Sequence, residues 1–364
     1  MSTGPTETRP VRTGLVRDVD TVVIGAGQAG LSSAHHLLRL GLAPFDQVVV
    51  LDADAAPGGA WQHRWDSLTM RDVHRIAALP GLDAPTGDGR ANEVVPAYFD
   101  EYERRFELPV VRPVRVRTVV DLPDGRLEVR TAAGTWRTRT LVNATGTWTR
   151  PFVPHYPGAE TFAGRQLHTA TYAGAAELAG GHVVVIGGGA SAVQLLAEVS
   201  EVAGTTRVTR RPPVWRDSGF DADAGRKAVA RVDAAVRAGR PPASVVSATG
   251  LMLREQEAAA AARGVYERLP MFARIEPDGV RWADARFQHA DALLWATGFR
   301  AALDHLAPLH LREPGGGIAM DGTQVVRDPR VQLVGYGPSA STIGANRAGR
   351  TAAVNASRVL RAAA

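Results

Sequence analysis

A strand–glycine turn–helix unit occurs twice in this 364-residue chain, and that duplication constrains the fold more than any other feature. In the first copy the β-branched run Val22-Val23-Ile24 reads as a buried strand. It feeds into Gly25-x-Gly27-x-x-Gly30, with Gln28 and Ala29 in the turn, and residues 31–40 read as a helix. In this context G-x-G-x-x-G points to a dinucleotide. The first glycine permits the tight turn, the second lets the backbone approach a pyrophosphate, and the third lets helix and strand pack closely. The helix N-terminus adds free N–H groups and a positive dipole end. A second strand, residues 47–51, ends at Asp52, 22 residues beyond Gly30. That spacing suits an acid that accepts hydrogen bonds from a ribose and disfavours a 2′-phosphate.

The second copy runs from strand residues 183–186 through Gly187-Gly188-Gly189-Ala190-Ser191-Ala192 into a helix reaching about residue 202. Its next strand, 205–209, ends at Arg210-Arg211, with Arg210 21 residues beyond Gly189. Arginines thus stand where the first copy has Asp52. Guanidinium forks suit a phosphate dianion, so this copy is expected to prefer NADPH over NADH.

The fold class expected is α/β, with two Rossmann-like domains and the second inserted into the first. Residues 1–19 form a loose arm, 20–150 and 296–364 the first domain, and 151–295 the second, with a helical excursion at 217–262 broken near Gly239 and Pro241-Pro242. Residues 94–107 form a helix with packing aromatics. Strands at 110–120 and 126–131 flank Pro123-Asp124-Gly125 as a hairpin, 135–140 adds a third strand, and 141–146 is a strand ending in Ala144-Thr145-Gly146. The turn Ala296-Thr297-Gly298 echoes it, and a final strand at 331–334 precedes a helix over 342–360.

Composition narrows the function. Hydrophobic residues make up 45% and charged residues 22%, as in a folded globular protein. There is no cysteine, which removes disulfides, thiolate metal sites and a CxxC pair, and no metal site is expected. No apolar run is long enough to span a bilayer, and the first 20 residues lack an apolar core, so a cytoplasmic protein without membrane contact is expected. The net charge is +5, carried by scattered arginines with Lys227 the lone lysine; without a patch or motif, nucleic-acid binding is not expected. Pro57-Gly58-Gly59-Ala60-Trp61 offers a flexible turn and a ring that either stacks on a flat ligand or packs under the loop. A polar loop follows, carrying His63, Arg64, Arg71, Asp72, His74 and Arg75, of a kind that often lines a site.

Together these motifs resemble the flavin-containing monooxygenase superfamily of two-dinucleotide-binding-domain flavoproteins, from about Asp20 to Leu360. The matching pieces are GAGQAG, the PGGAW turn, GGGASA, ATGF and, most specific, Phe162-x-Gly164-x-x-x-His168-x-x-x-Tyr172. Tyr172 leans toward the N/S-oxygenating branch, since the Baeyer–Villiger signature usually has Trp there. The resemblance implies that FAD lies on the first fingerprint (Gly25, Gly27, Gln28, Ala29, Gly30) and on Asp52, Gly59, Trp61, Val116, Thr145, Gly146, Thr297, Gly298, Gly337 and Gly344. NADPH would lie on Gly187, Gly189, Ala190, Ser191, Ala192, Arg210 and Arg211. Arg71, Asp72, His168 and Tyr172 are the expected catalytic residues, with His168 either a conformational residue or a buried, hydrogen-bonded histidine.

The implied reaction reduces flavin with NADPH, forms a C4a-(hydro)peroxyflavin with O2, and passes one oxygen to a small nucleophile. Two departures keep an alternative open, an NADPH-dependent flavin reductase serving a quinone or protein acceptor. The chain lacks the larger substrate-covering insertions, and Ser67-Leu68 is followed by Thr69-Met70-Arg71-Asp72 without the Asn that oxygenating members often carry. A third reading, a nucleotide-sensing scaffold, has two intact glycine turns against it. The expected partners are a small-molecule substrate and O2, and a homodimer is compatible with the sequence.

Overall fold

The computed structural model describes residues 15–73, 76–215, 222–242, 251, 253 and 255–362. Strand β1 (Val16–Ile24) ends in a β-branched run with almost no exposed surface. α1 (Gln28–Arg39) returns the chain to β2 (Val48–Leu51), parallel to β1. α2 (Ala91–Arg105) leads to the short β3 (Val110–Val111), parallel to β2. The hairpin β4 (Val116–Asp121) and β5 (Leu127–Thr131) then enters β6 (Thr135–Asn143).

The chain next builds a second unit. β7 (Arg165–His168), β8 (His182–Ile186), α3 (Ala190–Val199) and β9 (Gly204–Val208) are followed by α4 (Ala222–Arg237), α5 (Glu255–Ala262) and β10 (Arg268–Leu269). A small antiparallel sheet, β11 (Arg274–Glu276), β12 (Gly279–Arg281) and β13 (Phe287–His289), precedes β14 (Ala292–Trp295). The parallel order of this unit is β10-β9-β8-β14-β7. β15 (Met320–Asp321), β16 (Gln324–Val325), β17 (Val331–Leu333) and α6 (Thr342–Ala362) return to the first unit. The first sheet then reads β15-β16-β17-β6-β1-β2-β3, so one Rossmann-like unit is inserted into another.

Several local expectations change. Residues 135–146 hold one strand, not two, because β6 pairs in parallel with β1 along its length and antiparallel with β5 at its start. Val110–Val111 belongs to the central sheet and only β4 and β5 make the hairpin. The strand order begins at Val16, inside the segment expected as an arm, since Val16–Asp18 pair with Thr135–Arg137; residues 1–14 lie outside the described residues. The excursion at 217–262, in part outside the described residues, divides its loyalties. α4 leaves its own unit, and Val236 is buried in the first unit's core with Leu306, Leu311 and Tyr336. α5 stays on the second, where the Arg263 guanidinium that follows it donates to Ser200 Oγ at 3.1 Å.

Small residues let α1 and α6 touch. Ala352, Ala353 and Ala356 are fully buried, and Ser32 Oγ donates to the Asn346 carbonyl at 3.1 Å. Trp65 and Leu68, from the loop after the PGGAW turn, enter the second unit's core beside Tyr172. That loop therefore ties the two units together. Among the described residues, no helix is long and apolar enough to cross a membrane.

Candidate active site

A cleft of about 380 Å3 opens where β1, β2 and β6 end. Gly25 and Gly30 are there because nothing larger fits. A Cβ at Gly25 would lie 2.7 Å from the Ala144 carbonyl oxygen, and one at Gly30 would lie 1.9 Å from the Gly25 carbonyl oxygen. The second fingerprint repeats the device, a Cβ at Gly187 falling 2.3 Å from the Ala296 carbonyl oxygen. Each fingerprint thus packs against an ATG turn, Ala144-Thr145-Gly146 or Ala296-Thr297-Gly298.

The middle glycines behave differently. A Cβ at Gly27 or Gly189 would meet nothing within 4 Å. Gly27 and Gly189 are the N-caps of α1 and α3, neither helix has a side chain capping its first N–H groups, and neither has an acid in its first turn. These are open, positively polarised cradles of the kind that hold a pyrophosphate, so the residues present fit a dinucleotide at both. Gly59 completes the first cradle, since its Cβ would lie 3.0 Å from Gly27 Cα.

Asp52 lines this cleft with 6% of its surface exposed. Arg112 Nε donates to Asp52 Oδ2 at 3.0 Å, and the Arg112 Nη atoms donate to both Glu103 carboxylate oxygens at 2.6 Å. Burial pushes both carboxyls above the usual range against the pull of Arg112. One cation therefore holds two buried acids, and fixes the plane of the one facing the cleft.

The rest of the lining mixes expected and unexpected residues. Gly25, Gly27, Gln28, Ala29, Gly59, Trp61, Val116, Thr145 and Gly146 all border the cleft. Gln28 Nε2 donates to the Ala77 carbonyl at 2.8 Å and to Asn346 Oδ1 at 3.0 Å, bracing the cradle on α6. His63, Arg64, Trp148, Phe299 and His305 also border it. Trp148 stacks on Phe299 at 5.0 Å and on His63 at 6.2 Å. The Arg64 guanidinium lies 4.6 Å from the Trp148 ring and 5.5 Å from the Trp61 ring, and burial lowers it to about 10. His305 Nε2 and Asn143 Oδ1 are 2.7 Å apart, and burial lowers this imidazole to about 4, so it is neutral and Nε2 donates.

Other expected residues sit elsewhere. Gly337 lies against α4, where a Cβ would fall 2.8 Å from Val236, and Gly344 is held in the first turn of α6 and is not among the residues lining the cleft. Thr297 Oγ1 donates to the Phe152 carbonyl, and the Gly298 carbonyl accepts from Phe152 N–H at 2.9 Å, so this turn seals the junction. Arg71 is exposed and paired with Asp88 at 2.6 Å, while Asp72 accepts from Thr69 Oγ1 at 2.7 Å and holds the loop. Neither lines the cleft. His74 and Arg75 lie outside the described residues. Arg210 and Arg211 are exposed just after β9, beyond Thr209, and Ala190, Ser191 and Ala192 form the first turn of α3.

His168 ties the end of β7 to the turn after β14, both in the second unit's sheet. Its Nε2 donates to the Gly298 carbonyl at 3.0 Å and its Nδ1 accepts from Ala170 N–H at 3.0 Å. Burial lowers its basicity. Both nitrogens are committed, so the ring is a strap and not a free acid or base. Phe299 meets it edge-on at 5.0 Å. Tyr172 is buried against Trp65 at 6.1 Å; burial, then the Glu198 charge, raises its phenol. Arg112, Glu103, Trp148 and His305 were invisible to motif reading, because each acts through a tertiary contact with no spacing rule.

Two dinucleotide cradles on inserted Rossmann-like units define the class of two-dinucleotide-binding-domain proteins. A family model described as pyridine nucleotide-disulphide oxidoreductase matches residues 22–231. A variant of the flavin monooxygenase from Stenotrophomonas maltophilia is 39% identical, covering 96% of this chain and 100% of that one with a TM-score of 0.81. An uncharacterized oxidoreductase, CzcO, from Bacillus velezensis is 32% identical over 200 residues, 54% of this chain and 56% of that protein. A Baeyer–Villiger monooxygenase from Streptomyces coelicolor is 32% identical over 206 residues, 54% of this chain and 38% of that protein. The chain spans about half the length of the first two curated relatives it matches. The chain belongs to the pyridine nucleotide-disulphide oxidoreductase family and, within it, to the flavin-containing monooxygenases. Its 364 residues hold no cysteine, so the disulphide of the family's name has no counterpart here.

Proposed function

We propose that this chain is an NADPH-dependent FAD monooxygenase acting on a small nucleophilic substrate with O2. One observation carries the reading: two uncapped glycine cradles stand on two units that meet where Phe299 stacks on Trp148, beside a cleft walled by Trp61, Trp148 and Phe299. Bound FAD would supply hydride acceptance and oxygen chemistry. This chain's residues would do the rest. The α1 cradle and Gly59 bind the pyrophosphate, Asp52 holds a ribose hydroxyl, and the aromatic wall orients ligand and excludes water. Thr145 Oγ1, donating to the Ala302 carbonyl at 2.7 Å, keeps the ATG turn in place beneath the cradle. The FAD unit comprises 20–150 and 296–364 and the NADPH unit 151–295, with Arg210 and Arg211 receiving the 2′-phosphate.

The test is spectral. The purified protein is yellow, NADPH bleaches it without O2, and readmitted O2 restores the colour with oxygenated product. Peroxide as the sole product with every amine and sulfide tried would defeat the oxygenase reading. A flavin reductase is the second reading, favoured by the Thr69–Asp72 turn standing where oxygenating members often carry Asn. Rapid anaerobic turnover with a quinone would support it. A cytoplasmic homodimer is the proposed setting; fractionation and light scattering test it.

A further inference from the structure

Arg64 is a half-buried cation whose guanidinium has no acidic partner. Its backbone N–H closes the turn onto the Trp61 carbonyl at 3.1 Å, which fixes where the side chain starts. The guanidinium lies against the Trp148 and Trp61 rings, and Nε is buried with no hydrogen-bond partner. No charged neighbour offsets the burial that lowers its basicity. The acids nearby are committed: Asp52 to Arg112 at 3.0 Å, Asp54 to His63 at 3.2 Å, and Asp66 to Asn92 at 2.8 Å. Leaving a desolvated charge unpaired is costly, and two indole faces recover only part of that cost. Such a residue is explained when a ligand brings the anion.

Position says which ligand. The pyrophosphate cradle is at the start of α1, where helix N–H groups already provide positive potential. Arg64 lies between Trp61, beside that cradle, and the wall made by Trp148, Phe299 and His63, whose far end meets His168 of the second unit. A flat ring can stack on that wall while the planar guanidinium grips a carboxylate at its edge. We propose that Arg64 is the receptor for a substrate carboxylate, and that the Trp148–Phe299 end of the cleft, beside the FAD cradle, takes small aromatic carboxylic acids. This deepens the monooxygenase reading and rests on it only in treating this cleft as the reacting site.

The test uses the full chain loaded with oxidised FAD and no NADPH. Phenylacetate and its neutral isostere phenylacetamide are titrated separately, followed by the flavin absorbance difference and tryptophan fluorescence. The wild type binds the acid at least roughly tenfold tighter than the amide, the scale of a charge-assisted pair. R64Q loses that preference through weaker acid binding, R64K keeps part of it, and both retain wild-type FAD content. Trp148→Ala weakens acid and amide alike. Equal binding of acid and amide by the wild type overturns the proposal. So does loss of FAD from R64Q and R64K, since the guanidinium would then serve the cofactor's own phosphates. Failure of NADPH to bleach the wild type would instead sink the monooxygenase reading, leaving the acid–amide comparison intact.

Discussion

Arg112→Met probes the buried triad behind the cleft. The guanidinium holds Asp52 and Glu103, and all three side chains are at most 10% exposed. Methionine keeps the stem's volume and removes the charge, leaving two buried carboxylates close together. Removing one partner of a buried pair costs about 3–5 kcal/mol. The sign with pH follows from linkage. Burial already raises Asp52 and Glu103, and losing Arg112 removes the main force pulling them down. A carboxyl whose folded pKa exceeds its unfolded value contributes stability at low pH and loses it as pH rises through the folded pKa. The deficit of R112M therefore grows from pH 5 to pH 8. For a unit of this size it lowers Tm by roughly 10 °C at pH 8 and by less at pH 5. A protonated Asp52 also accepts less well from a ribose, so FAD binding weakens by roughly tenfold or more. Thermal melts at several pH values, with flavin fluorescence titrations, read both effects. A deficit independent of pH, or a Tm within about 2 °C of wild type at pH 8, would refute the triad's proposed role.

The double variant Arg210→Gln with Arg211→Gln should raise the KM for NADPH by roughly ten- to a hundredfold and leave that for NADH nearly unchanged. Equal effects on the two coenzymes, in steady-state assays, would count against a 2′-phosphate site. His168→Phe keeps ring contact with Phe299 but removes both hydrogen bonds. FAD content should hold while flavin reduction slows, and the pH profile should match wild type, since a neutral strap carries no proton. His305 adds an acid-side liability. Its folded pKa of about 4 lies below the usual 6.5, so stability falls as pH drops through that window, by at most about 3 kcal/mol. His305→Asn should flatten that slope in urea melts between pH 4 and 7; an unchanged slope would discount it.

The parts of the molecule legible in the sequence are those built by short-range rules. Gly30 had to be glycine because a Cβ there would run into the Gly25 carbonyl, and Gly25 because its backbone is left-handed, and a motif records that. Asp52 was reachable from its spacing along a strand, helix and strand of standard length. The single β6 was not legible, because composition cannot distinguish one strand serving two neighbours from two strands in sequence. The core that receives α4 was not legible for a similar reason: Val236 has the same apolar character whichever core it enters. Thr297 and Gly298 echo Thr145 and Gly146 in sequence, yet only the latter pair borders the cleft, since the second ATG turn belongs to the other sheet's end.

That pairing of turns explains why the junction carries so much of the chemistry proposed here. Each ATG turn sits against the first glycine of a fingerprint, so movement of either turn moves a cradle. The second turn is also bonded to Phe152 and to His168, and the residue that follows it, Phe299, stacks on Trp148 in the first unit's cleft. A ligand pressing on the Gly187 cradle therefore has a continuous packed route to the wall that braces Arg64, through Ala296, Gly298, Phe299 and Trp148. Phe299→Ala breaks that route without touching a cradle. With NADP+ bound, the wild type should change its phenylacetate affinity relative to the coenzyme-free enzyme, and F299A should respond by less than about half as much in free energy, by the reciprocity of coupled sites. Identical coupling in both proteins would show that the aromatic wall is only a boundary.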